Sequence, residues 1–110
     1  MALFPDKPYL DISDYVSGYG ETIKSAFSTL NSDQLRMAAS TLEDAVNRKA
    51  TIFVCGNGGS AAISNHFVCD HLKGASIGTN AHPKVCSLST NIEVTTAIAN
   101  DIAYDNIFDF

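Results

Sequence analysis

Between residues 13 and 30 the apolar positions Tyr15, Ile23, Phe27 and Leu30 recur at spacings that share one helical face. The spacing predicts a helix from Ser13 or Asp14 to Leu30, with Gly18 and Gly20 weakening its first turns. Before it, Met1 to about Ile12 reads as an irregular arm, because Pro5 and Pro8 interrupt any early helix. A second stripe of Leu35, Ala38, Leu42 and Val46 predicts a helix over about Asp33 to Arg48, with Asn31 and Gln34 as its capping box. Residues 1–50 are thus expected to form an arm and a helical hairpin. Its apolar faces have little else in the chain to cover them, so oligomerisation through these helices is the economical expectation.

The period then changes. "TIFVC", from Thr51, is short, β-branched, aromatic and apolar throughout, as a strand buried on both faces should be. "KVCSL", Lys84 to Leu88, is a second such strand, and a helix over Ser60–Leu72 lies between them. Strand, helix and strand make a βαβ unit with parallel strands. Thr90 and Glu93 suggest a capping box for a further helix that runs through Val94, Ile98 and Ala99 to Asp101. Two parallel strands are too few for a stable open sheet. With "NIFDF" apolar up to Phe110, residues 51–110 read as the first part of a larger α/β domain whose C-terminal half is absent from this chain. A small protein that completes its sheet by dimerisation is the alternative.

Composition narrows the class. The 110 residues are 45% hydrophobic and 17% charged, an ordinary globular balance. Net charge is −5 with the Lys and Arg scattered, so a nucleic-acid partner is not expected. No cationic start precedes an apolar run and no stretch is long enough for a membrane span, which points to the cytoplasm. Cys55, Cys69 and Cys86 lack metal-ligand spacing and read as buried, reduced thiols.

The chemistry concentrates in "CGNGGSAAISNHFVCD". Gly56, Gly58 and Gly59 sit where a strand hands over to a helix; they permit unusual backbone conformations and close approach of a ligand. Ser60 opens the helix, whose free N–H groups favour an anion. The run matches neither common phosphate fingerprint: Ala61 replaces the third Gly of the dinucleotide pattern, and no Lys follows the last Gly. A tight turn without ligand is the competing reading. The helix after it carries apolar residues nearly all round and is expected to be largely buried. His66 and Asp70 project together from it, one turn apart. They are a hydrogen-bonded core pair, two metal ligands, or a carboxylate base with its orienting neighbour. His71 and Ser64 read as structural and His82 as solvated. Asn100 and Asp101 close the last helix, as caps or as a second polar point of a site.

"CGNGGSAAISNHF" with an acid at Asp70, followed by "TAIANDIAYDNIF", resembles the sugar isomerase (SIS) domain family, and within it the phosphoheptose isomerases. The resemblance runs from the helical hairpin to Phe110. It implies a flavodoxin-like parallel-sheet α/β fold and interconversion of sedoheptulose 7-phosphate with an aldose phosphate through an enediol. It implies substrate contacts from Asn57, Gly58, Gly59, Ser60, Asn100 and Asp101, zinc ligation in some members by His66 and Asp70, and proton transfer by Asp70. Dimers or tetramers packed through the N-terminal helices are implied as well. The family usually has Glu at the Asp70 position, and the residues that complete its site lie beyond Phe110, so the chain alone is expected to be inactive. A non-catalytic SIS protein that binds a sugar phosphate or regulates a partner is the rival reading.

Overall fold

The structure, a computed structural model, describes residues 4, 5 and 7–110. It divides into two compact units, Met1–Ala38 and Ala39–Phe110. In order come α1 (Ile12–Ser28), α2 (Ser32–Asn47), β1 (Thr51–Val54), α3 (Gly59–Cys69), β2 (Lys84–Ser87) and α4 (Ile92–Asp101). The chain is α/β, as the change of hydrophobic period predicts.

Within the first unit, α1 begins earlier than the spacing suggests because Asp11 caps it, accepting from the Ser13 N–H at 2.7 Å. The described residues of the arm form no helix or strand before Ile12 but are anchored: the rings of Phe4 and Tyr15 lie 5.1 Å apart, and Tyr9 meets Tyr15 edge-on at 5.6 Å. Residues 1–3 and 6 of the arm lie outside the described residues. Gly18 gives Tyr9 room, since a Cβ there would stand 2.8 Å from its hydroxyl oxygen. Asn31 starts α2 as expected, accepting from the N–H groups of Asp33 and Gln34. No residue of α1 or α2 is buried, and Ile23, Phe27, Leu30 and Leu35 are exposed.

In the second unit β1 and β2 pair in parallel, with Ile52 beside Val85 and Val54 beside Ser87. The expectation that both strand faces are buried is not met. Val85 and Ser87 are buried and Ile52 and Val54 half-buried, while Phe53, Cys86 and Lys84 are exposed. The reason is that α3 packs against one side of the pair, and among the described residues the other side of this two-stranded sheet stays exposed. The core is correspondingly small: Val85, Ile98 and Ile107, with Ser64 and Ser87 buried among them. Cys55, Cys69 and Cys86 are exposed free thiols, for the same reason, rather than buried ones.

The Ser60–Leu72 helix of the sequence reading divides in two. α3 ends at Cys69, and Asp70–Gly74 continues as a π turn closed by the Ala75 N–H donating to the Asp70 carbonyl at 2.8 Å. Nor is α3 largely buried; Ser64 is its one buried residue. Among the described residues no helix is long and apolar enough to cross a membrane.

Candidate functional site

β1 delivers the chain into Gly56–Asn57–Gly58, and α3 starts at Gly59. Gly56 is required by space: a Cβ there would stand 2.6 Å from the Ser60 carbonyl carbon and oxygen. Gly58 is required by conformation, with φ +55° and ψ −122° at the start of α3. Gly59 is required by neither, which corrects the expectation for that position. It is helical, and nothing lies within 4 Å of where its Cβ would be.

The turn is tied down by residues that the sequence reading did not single out. Ser89, just past β2, accepts from the Gly56 N–H at 2.9 Å and donates to the Gly56 carbonyl at 2.8 Å. Ser87 donates to Asn65 Oδ1 on α3 at 2.7 Å and accepts from the Ser89 N–H at 3.2 Å. The available signal was the Ser87–Leu88–Ser89 alternation, which puts two hydroxyls on the same side of an exiting strand. A shallow pocket of about 110 Å³ lies here, lined by Gly56, Asn57, Gly58, Ala61, Ser89, Ile92, Thr95 and Phe108.

α3 has no side-chain cap. The N–H groups of Ser60 and Ala61 turn back to the carbonyls of Asn57 and Gly58. Those of Asn57, Gly58 and Gly59 meet no acceptor among the described residues. Open N–H groups at the positive end of a helix favour an anionic oxygen.

His66 and Asp70 come together as the one-turn spacing requires, with Nε2 and Oδ1 3.5 Å apart. They are not a core pair: their side chains are 75% and 63% exposed. Burial was inferred from the apolar residues around α3, but those residues lack a covering layer here. The pair lines an open apolar hollow with Ala62, Ile63 and Phe67, of about 380 Å³. In a tetrahedral zinc site with ligands near 2 Å, donors sit about 3.3 Å apart, so the pair is suitably spaced for two of the three or four ligands required. Among the described residues no cluster of three His, Cys, Asp or Glu completes such a set.

The remaining expected residues fall elsewhere. Asn100 and Asp101 end α4, where the Asn100 side-chain amide donates to Asp101 Oδ1 at 2.8 Å. They line neither of the two pockets above. Eleven residues at about 1.5 Å rise put Gly59 and Asp70 roughly 16 Å apart along the helix, so turn and pair do not share one cavity. His71 donates through Nδ1 to the Phe67 carbonyl and Ser64 donates to the Ser60 carbonyl, the structural roles expected of them. His82 is exposed.

The sequence matches known proteins over most of its length. Residues 14–109 match the family profile described as SIS domain. A phosphoheptose isomerase of Methylococcus capsulatus is 33% identical over 101 residues, covering 92% of this chain and 51% of the relative. One of Helicobacter pylori is 33% identical over 88 residues, covering 80% of this chain and 45% of the relative. A probable phosphoheptose isomerase of Thermoplasma volcanium is 32% identical over 99 residues, 90% of this chain and 48% of its own length. The chain spans about half the length of these relatives. With a family match across most of its residues, around a glycine turn between β1 and α3, the chain belongs to the SIS domain family.

Proposed function

We propose that this chain supplies part of the site of a phosphosugar aldose–ketose isomerase acting on sedoheptulose 7-phosphate. The observation that carries the reading is the uncapped start of α3, three open N–H groups held in a fixed turn, on the same helix as an exposed His–carboxylate pair. In this reading Asn57, Gly58, Gly59 and Ser60 bind the sugar phosphate, and Asn100 and Asp101 add polar contacts. Asp70 takes a proton from the carbon beside the carbonyl and returns it to the former carbonyl carbon, while the hydroxyl proton passes from one oxygen to the other, through an enediol. His66 stands beside the Asp70 carboxylate and orients it.

His66 and Asp70 are also the two residues that would hold zinc, which when bound would polarise a substrate carbonyl. The rest of the ligand set must come from outside the described residues. The separation of the turn from the acid along α3 supports a site completed by further residues, in this protein or a second subunit. The exposed faces of α1 and α2 support a dimer or tetramer formed through them. Three free thiols support a reducing, cytoplasmic setting. Alone, the 110 residues turn nothing over.

A second reading has one observation in its favour. Asp70 is one methylene shorter than the Glu usual in the family, and a displacement of about 1 Å can cost about a hundredfold in rate. The rival is a sugar-phosphate-binding regulator with no catalysis. A chimera separates the two, with this chain in place of the matched part of the Methylococcus capsulatus relative. It is mixed with sedoheptulose 7-phosphate and zinc and followed by NMR. Aldose formation abolished by Asp70→Asn supports the isomerase; binding without turnover supports the regulator; neither rejects both.

A further inference from the structure

The Ser89 hydroxyl lies outside the turn and outside α3, yet both of its hydrogen bonds go to Gly56. A hydroxyl has one proton to donate and lone pairs to accept with, so both bonds can exist at once. The second has a geometric consequence. A peptide unit is planar and trans, so its carbonyl and N–H point in opposite directions. Holding the Gly56 carbonyl toward Ser89 therefore turns the N–H of Asn57 away from Ser89, and that N–H meets no acceptor among the described residues.

We infer that Ser89 is a positioning residue that aims the Asn57 N–H at a bound phosphate oxygen. The clamp is itself held, because the Ser89 N–H donates to Ser87 Oγ and Ser87 donates to Asn65 on α3. The end of β2 thus sets both the tilt of the first free N–H and the place of the helix that supplies the others. A glycine turn has many backbone conformations of similar energy, so an outside anchor is what makes one of them persist. The inference deepens the proposed function and rests on its sugar-phosphate site.

The test is made on the full chain, with inorganic phosphate and sedoheptulose 7-phosphate as separate probes, in ¹H–¹⁵N spectra. In the unsubstituted chain the Gly56 amide exchanges slowly, and both probes shift the resonances of Asn57, Gly58 and Gly59. Ser89→Ala is expected to speed Gly56 exchange and weaken both probes about tenfold. Ser89→Thr keeps the hydroxyl and is expected to restore both; Ser89→Ala keeps the Cβ, so lost packing at that carbon does not produce this pattern. If Ser89→Ala binds as tightly as the unsubstituted chain, the inference is wrong while the phosphate site stands. If the unsubstituted chain shifts at none of the three amides, both fall. Should Ser89→Ala not fold, Gly56 exchange in the unsubstituted chain decides: an unprotected amide overturns the clamp, and a protected one with normal Ser89→Thr binding upholds it.

Discussion

Two strands of one small sheet each hand over to a helix, and the two handovers are built differently. After β1 the chain turns through glycines, and α3 begins with no side chain on its free N–H groups. After β2 it turns through Ser89, Thr90 and Asn91; Asn91 caps α4, accepting from the Val94 N–H at 3.1 Å, and Thr90 donates to the Ser87 carbonyl. The second turn satisfies itself and also ties down the first. Free N–H groups at a helix start are ordinarily met by a Ser, Thr, Asp or Asn side chain. α1, α2 and α4 all do so, through Asp11, Asn31 and Asn91. Among the described residues no side chain caps the start of α3.

The contrast can be broken at the glycines first. Gly56→Ala forces a Cβ against the Ser60 backbone and should destabilise the second unit by about 3 kcal/mol, enough in a marginal domain to unfold much of it. Urea denaturation followed by circular dichroism reads that loss. Gly58→Ala meets no clash but must hold φ +55°, at a cost of about 2 kcal/mol in the same assay. Asn91→Ala removes the self-made cap of the second turn and should cost about 1 kcal/mol without changing phosphate binding. Equal phosphate loss in Asn91→Ala and Gly58→Ala would erase the distinction between the two handovers.

Gly59→Ala sharpens it from the other side. Its methyl enters open space at a helical position, so stability should rise by about 0.5 kcal/mol while phosphate affinity falls. Asp70→Asn lies at the far end of α3 on an exposed pair, and should change stability by less than about 0.5 kcal/mol. A larger loss in thermal melts would mean that the carboxylate is structural rather than available for proton transfer.

What could be read before folding depended on distance along the chain. The Asn31 cap, the stripe of α2 and the glycine turn were legible because each is set by residues within a turn of one another. So was the meeting of His66 and Asp70, since helical geometry alone brings i and i+4 together. Thr90 was a near miss: it has the chemistry of a cap, but its hydroxyl donates to the Ser87 carbonyl, and the oxygen that accepts from the helix is that of Asn91. The π turn that opens at Asp70 carried no signal, because α and π hydrogen bonding draw on the same residue types.

Sequence by itself determined the elements, their order, the open start of α3 and the pairing of its histidine with its acid, all consequences of local geometry and side-chain chemistry. Tertiary structure alone decided that Ser89 reaches across 33 residues to hold Gly56, that Ser87 is buried against Asn65, and that only one face of the sheet is covered. The same layer that would have buried His66 and Asp70 is the one the pattern assumed and two strands do not provide. Burial is a property of what packs on a surface, and no periodicity within a helix states what that will be.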